Sequence, residues 1–278
     1  MNCPRCWLPD QEENAVCSRC NLDIPPPSLK WWGEFLVNPL LVFAPNSYGD
    51  TFERVRHLST LDEQGIAWNL VVLDNLVSFF RKNFPPAQIF GYSQVLPPYD
   101  YWTDLLMGLA RVNNQPTLPP YKSFVTDPDS LAKWKNLPHP SIVIISGAGE
   151  KYDAVKSRSL SAAVIDKIVS SFPKANWISY PSSESWEGTV GLFHNTDAVI
   201  TVDTAGAYLA ASIGKPTIVL FGASTTETLY YPNFKRMYPE APIVEFTPLY
   251  DNQGVEKYSH DYLIEWMQKD SFLKFIGC

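Results

Sequence analysis

The sequence predicts an α/β protein made of two Rossmann-like domains with parallel sheets, preceded by a small cysteine-rich metal module. Three observations carry this reading. Apolar runs of strand length alternate with stretches of helical spacing in two separate blocks; a proline-rich and aromatic-rich stretch, 85–124, parts the blocks; and four of the five cysteines lie in the first twenty residues. A chain of 278 residues, 45% of them apolar, can bury the cores that two such domains need.

The N-terminal module comes first. Cys3-Pro-Arg-Cys6 is followed, after ten residues, by Cys17-Ser-Arg-Cys20. This double-knuckle spacing lets four thiolates close a tetrahedron around one zinc ion, so residues 1–24 are read as a zinc ribbon. Two local disulfides or free thiols are the competing reading, and a reducing compartment disfavours the disulfides. So short a segment has almost no core, and metal binding would supply most of its folding free energy. Residues 25–38 open on three consecutive prolines and are read as a linker. Trp31 and Trp32 within it either cap the following sheet or grip a partner.

The first domain is expected over 39–125. "PLLVFAP" at 39–45 and "IAWNLVVLD" at 66–74 read as buried strands. Between them Phe52, Val55, Leu58 and Leu61 mark a helix, and "NLVSFFRKNF" marks another. The second domain, 126–278, restarts the alternation: "PSIVIISGAGE" is a strand, "SLSAAVIDKIVSSFP" a helix, "NWISYP" a strand, "EGTVGLFHNT" a helix and "DAVITVD" a strand. "TAGAYLAASIG" is a helix closed by Gly214, and "KPTIVLFG" a strand.

In "VITVDTAGAYLAASIGKPTIVLFG", residues 199–222, a buried strand hands over to a helix through Asp203, Thr204, Ala205 and Gly206. In an open parallel sheet ligands bind at such junctions, on the carboxyl edge. The first-turn N–H groups suit a phosphate, Ala205 and Gly206 leave room for it, Thr204 can donate a hydroxyl, and Asp203 can accept from a sugar hydroxyl. The plainer alternative is that Asp203 or Thr204 caps the helix. Gly49-Asp50-Thr51 stands at a similar junction in the first domain.

These residues resemble the heptosyltransferase-like glycosyltransferases, family nine, which carry a strand, Asp-Thr-small-small, a helix and a Gly-x-Pro turn in this order. "LLVFAPNSYGDTFERVRHLSTLDEQG" is similar to the family's first strand and Gly-Asp loop. "VLPPYDYWTDLLMGL" resembles the segment closing its N-terminal domain, and "KSRSLS" the polar loop opening its C-terminal domain. The resemblance spans about residues 39 to 222. It implies a GT-B fold with the nucleotide-sugar donor on the C-terminal domain and the acceptor on the N-terminal one, inverting chemistry, and no catalytic metal. It assigns donor binding to Asp203, Thr204, Ala205 and Gly206, with Lys156 or Arg158 on the diphosphate, and makes Asp50 the base that takes the acceptor's proton. Lys151 reads better as a solvated loop cation. Asp100 is a weaker base candidate that hinge packing explains equally well, and Glu184 and Glu187 stand near the ribose-contacting region. Tyr208 stands where heptosyltransferases proper often place a histidine, which leaves the donor sugar open among hexose, pentose and heptose. The last helix, 259–275, is a candidate to return to the N-terminal domain.

A net charge of −7 gives no global field for nucleic acid or an anionic membrane surface. No apolar stretch reaches the ~20 residues of a membrane span. The N-terminus lacks the zones of a signal peptide, so a cytoplasmic protein is expected. The ribbon points to a macromolecular acceptor or a protein partner. Two alternatives remain open at this stage: a bacteriophage-type glycosyltransferase of hydroxymethylated DNA bases, which the acidic balance disfavours, and a catalytically inactive GT-B scaffold that binds a nucleotide sugar or a protein.

Overall fold

The computed structural model describes residues 27–45, 47–105, 123–147, 159–221, 241–246, 249–250, 256–257 and 259–277. Cys3, Cys6, Cys17 and Cys20, and with them the expected ribbon, lie outside the described residues. The chain divides into two compact units between Lys122 and Ser123.

The first unit holds a parallel sheet of β1 (Leu40–Phe43), β2 (Trp68–Val72), β3 (Ile89–Gly91) and β4 (Trp102–Asp104), in the order β3-β2-β1-β4. β1 and β2 are the two apolar runs and are buried along their whole length, as strands covered on both faces must be. β3 and β4 lie inside the stretch where the sequence shows no alternation. The helical run after β1 is divided into α1 (Tyr48–Arg54), a 3-10 turn (Val55–His57) and α2 (Leu58–Glu63). Phe52, Val55, Leu58 and Leu61 are all buried, so the predicted face is the core face. α3 (Val77–Asn83) brings Phe79 and Phe80 within 6.0 and 6.2 Å of the Phe52 ring, and Phe80 stacks on Phe84 at 5.5 Å. Aromatic burial of this kind closes the helical layer over the sheet.

Part of the span read as linker belongs to this sheet. Lys30 bridges to Trp102 in parallel register, and the Trp31 N–H donates to the Trp102 carbonyl at 2.8 Å. Trp31 is buried, whereas Trp32 beside it is exposed. Trp31 therefore packs against the sheet as expected of a capping residue, and Trp32 does not.

In the second unit α4 (Pro128–Lys133) is followed by β5 (Ser141–Ile145), α5 (Ala162–Ser171), β6 (Asn176–Ser179), α6 (Trp186–Asn195), β7 (Ala198–Val202), α7 (Ala205–Ser212), β8 (Thr217–Leu220) and β9 (Ile243–Phe246). The strands pair in parallel in the order β6-β5-β7-β8-β9. A two-stranded antiparallel pair, β10 (Leu249–Tyr250) and β11 (Glu256–Lys257), precedes α8 (Ser259–Met267) and α9 (Asp270–Ile276). Residues 259–275 are a candidate to return to the first domain. The structure gives them to the second unit's core, where Leu263, Met267 and Phe272 join Ile142, Ile200 and Ile168.

Candidate functional site

Strand order in the second unit reverses between β5 and β7, and ligands of open α/β sheets sit outside the carboxyl ends at such a point. The register sets Ile145, the last residue of β5, opposite Thr201 of β7. Asp203, Thr204, Ala205 and Gly206 leave β7 at that edge, so the structure places all four at the switch point. Asp203 is buried.

α7 starts there because Thr204 is extended (φ −144°, ψ 173°) and Ala205 is the first helical residue. Thr204 occupies the N-cap position without a side-chain capping bond. Its hydroxyl lies 3.1 Å from that of Thr201, and the Thr201 hydroxyl donates to the Val202 carbonyl at 2.7 Å. A hydroxyl has one hydrogen, so Thr204 donates to Thr201 and keeps its lone pairs to accept; the expected donation to a phosphate is corrected to an accepting role, as towards a sugar hydroxyl. Gly206 has a packing reason as well: a Cβ there would stand 2.3 Å from Ile145 Cδ1. The helix thus seats its first turn on the end of β5. The Ala207 N–H is taken by the Thr204 carbonyl at 3.0 Å, which leaves Ala205 and Gly206 to supply the first-turn donors.

α7 ends in a Schellman arrangement. The Gly214 N–H donates to Ala211 O at 3.0 Å, and the Lys215 N–H to Ala210 O at 3.1 Å, with Gly214 at φ +71°. Lys215, the middle residue of Gly-Lys-Pro, sends its ammonium to the His194 and Thr196 carbonyls at the end of α6, and burial pushes its pKa down. It holds that helix terminus. Tyr208 is buried within α7.

The loop that holds Lys151, Lys156 and Arg158 leaves from the carboxyl end of β5 and returns there: Leu160 N–H donates to Ser146 O at 2.7 Å. Lys151, Lys156 and Arg158 themselves lie outside the described residues. At the start of α6, Glu184 pairs with Lys133 of α4 at 2.5 Å, while the Glu187 carbonyl accepts from Thr126 at 2.7 Å. Ser185 caps α6 by accepting from the Gly188 N–H at 3.0 Å. Lys133 carried no signal in the sequence.

In the first unit the order reverses between β1 and β4. Asp50 lies in the first turn of α1 and is half-buried. The cap is Ser47, whose hydroxyl accepts from the Asp50 N–H at 3.4 Å. Asp50 is therefore not the capping residue. Asp104, which no sequence motif marks, ends β4 opposite Phe43, is buried, and is held by Lys30 at 3.2 Å. Asp100 accepts from the Val37 and Asn38 N–H groups at 2.8 and 2.7 Å and from the Asn38 amide at 2.8 Å, and these bonds hold its carboxyl below the usual range. Its carboxylate thus anchors the segment that precedes β1. Among the described residues, no three His, Cys, Asp or Glu side chains stand together as metal ligands.

Parallel sheets in both units, each with its switch point at a carboxyl edge, define an α/β fold. Three solved structures share it: a glycosyl transferase family 9 protein from Veillonella parvula (TM-score 0.58, 11% identity, covering 88% of this chain and 99% of that one), the ADP-heptose LPS heptosyltransferase II of E. coli (0.54, 10%, 86% and 98%), and the iron-containing dodecameric glycosyltransferase TibC of enterotoxigenic E. coli (0.56, 10%, 86% and 75%). The sequence matches no protein-family model, and no curated protein matches it.

Proposed function

We propose that this chain is a glycosyltransferase that moves a sugar from a nucleotide-diphosphate-sugar to an acceptor hydroxyl, with inversion and without a catalytic metal. The observation that carries this is the position of Asp203-Thr204-Ala205-Gly206 at the β5/β7 switch point, in a fold shared with glycosyltransferase structures. The acceptor oxygen attacks the anomeric carbon as Asp50 takes its proton. The nucleotide diphosphate departs with the electrons of the broken C–O bond. The first turn of α7 and the Lys156 or Arg158 cation meet the charge that develops on the leaving group. Asp203 accepts from a donor hydroxyl. Residues 39–125 serve as the acceptor domain and 126–278 as the donor domain.

Four thiolates from Cys3, Cys6, Cys17 and Cys20 form a donor set suited to structural zinc, and the ribbon they close would recruit a macromolecular acceptor or protein partner. Among the described residues no helix is long and apolar enough to cross a membrane; a cytoplasmic location is part of the proposal.

A thermal-shift screen of purified protein against UDP-, ADP-, GDP- and dTDP-sugars tests this reading. A donor at a hundred times its dissociation constant adds about 2.7 kcal/mol. Stabilisation by one nucleotide class that Asp203→Ala abolishes is the expected result. No stabilisation by any class removes the donor assignment, and donor binding without transfer to any acceptor marks an inactive scaffold.

A further inference from the structure

The segment between the expected ribbon and β1 presents an apolar ridge that is held from both ends. Trp32, Phe35 and Val37 are 63, 88 and 82% exposed. The backbone beneath them is fixed. Trp31 Nε1 donates to the Glu34 carbonyl at 3.0 Å and the Trp32 N–H to the Glu34 carboxylate at 2.6 Å, around Gly33 at φ +109°. At the other end Asp100 ties down Val37 and Asn38. A pinned segment that turns three large apolar side chains to solvent is a surface awaiting a partner.

We propose that its occupant is the four-cysteine segment, residues 1–26, so that the ribbon docks on this ridge. The inference rests on reading the four cysteines as a zinc site. That segment carries Trp7, Leu8, Val16, Leu22 and Ile24, and a module of its size has too little interior to bury them. It is also launched from a fixed point beside the ridge. Leu29 packs on the cluster of Leu41, Phe43, Val71 and Trp102, and the nine residues from Cys20 to Leu29 span at most about 30 Å. Over so short a tether the effective concentration is in the millimolar range, so even a weak apolar contact is populated.

Docking must raise zinc affinity by linkage, because it favours the metal-closed form. The test uses the full-length zinc-loaded protein and its Trp32→Ser/Phe35→Ser variant, titrated with a chromophoric chelator, with oligomeric state followed by sedimentation. The variant is expected to lose zinc about tenfold more readily, with wild type and variant sedimenting alike; Val37→Ser shifts it the same way by less. Equal zinc affinity overturns the proposal. So does wild-type self-association that the variant lacks, which gives the ridge to a second copy, and so does a wild type that binds no zinc. The variant's thermal response to nucleotide sugars reads the glycosyltransferase assignment separately, and is expected to match wild type.

Discussion

The Thr204 hydroxyl lies 3.1 Å from the Thr201 hydroxyl, turned to the end of β7 and making no capping bond to its own helix. A threonine at an N-cap that does not cap has a side chain open to another use. Ser185, which does cap α6, is the control. Ser185→Ala should cost about 1 kcal/mol, the ordinary loss for a removed cap. Thr204→Ala should cost about 0.5 kcal/mol, since Thr201 keeps its bond to Val202 O. In the nucleotide-sugar screen the order reverses: Thr204→Ala should lose most of the ligand-induced shift and Ser185→Ala keep it. A Thr204→Ala chain that is as destabilised as Ser185→Ala and binds donor normally would return Thr204 to a purely structural role.

Asp50 stands in the first turn of α1 while Ser47 provides the cap. The Asp50→Asn change keeps shape and hydrogen-bonding capacity and removes the base. Transfer turnover should fall by roughly 10²–10⁴-fold with donor affinity unchanged. Stability should change by less than about 1 kcal/mol, the scale of a first-turn carboxylate's interaction with the helix dipole. Turnover and melting temperature measured on the same preparation check both statements, and turnover at the wild-type rate would remove Asp50 from the chemistry.

The strands that position the donor site were legible because each is a continuous apolar run, and Asp203–Gly206 stood out as small and polar residues interrupting one. β3 and β4 were not, since three-residue strands flanked by prolines carry no period to detect. Asp104 escaped for a related reason: its partner Lys30 is 74 positions away, and no local pattern joins them. α4 did leave a trace, Asp127 at the N-cap followed by Pro128. Its six residues were too few to show a face.

The crossing of α4 and α6 depends on one glycine. A Cβ on Gly191 would lie 2.3 Å from the Ser130 carbonyl oxygen, and a backbone atom cannot swing aside as a side-chain end can. Alanine at a helix interior ordinarily gains about 1 kcal/mol over glycine. Here overpacking should reverse that, so Gly191→Ala should lose about 1–3 kcal/mol net in urea denaturation. A stabilised Gly191→Ala chain would show that the two helices separate at little cost.

His57 gives the first unit a pH dependence. It is buried, its Nε2 has no hydrogen-bond partner, and burial, then the Arg54 and Arg56 charges, push its pKa down to about 4. The unfolded chain protonates near the ordinary 6.5, so between these values the unfolded state binds more protons and stability falls as pH drops. From pH 7 to pH 5 this amounts to about 2 kcal/mol. Glu53 works the other way, because burial raises its pKa and its folded carboxyl takes up a proton before the unfolded one does. Comparison with His57→Leu separates the two, since the variant keeps Glu53 and loses the imidazole. Urea midpoints at pH 7 and pH 5 should show wild type losing about 2 kcal/mol more than His57→Leu over that interval. Equal losses in the two chains would place the acid sensitivity elsewhere.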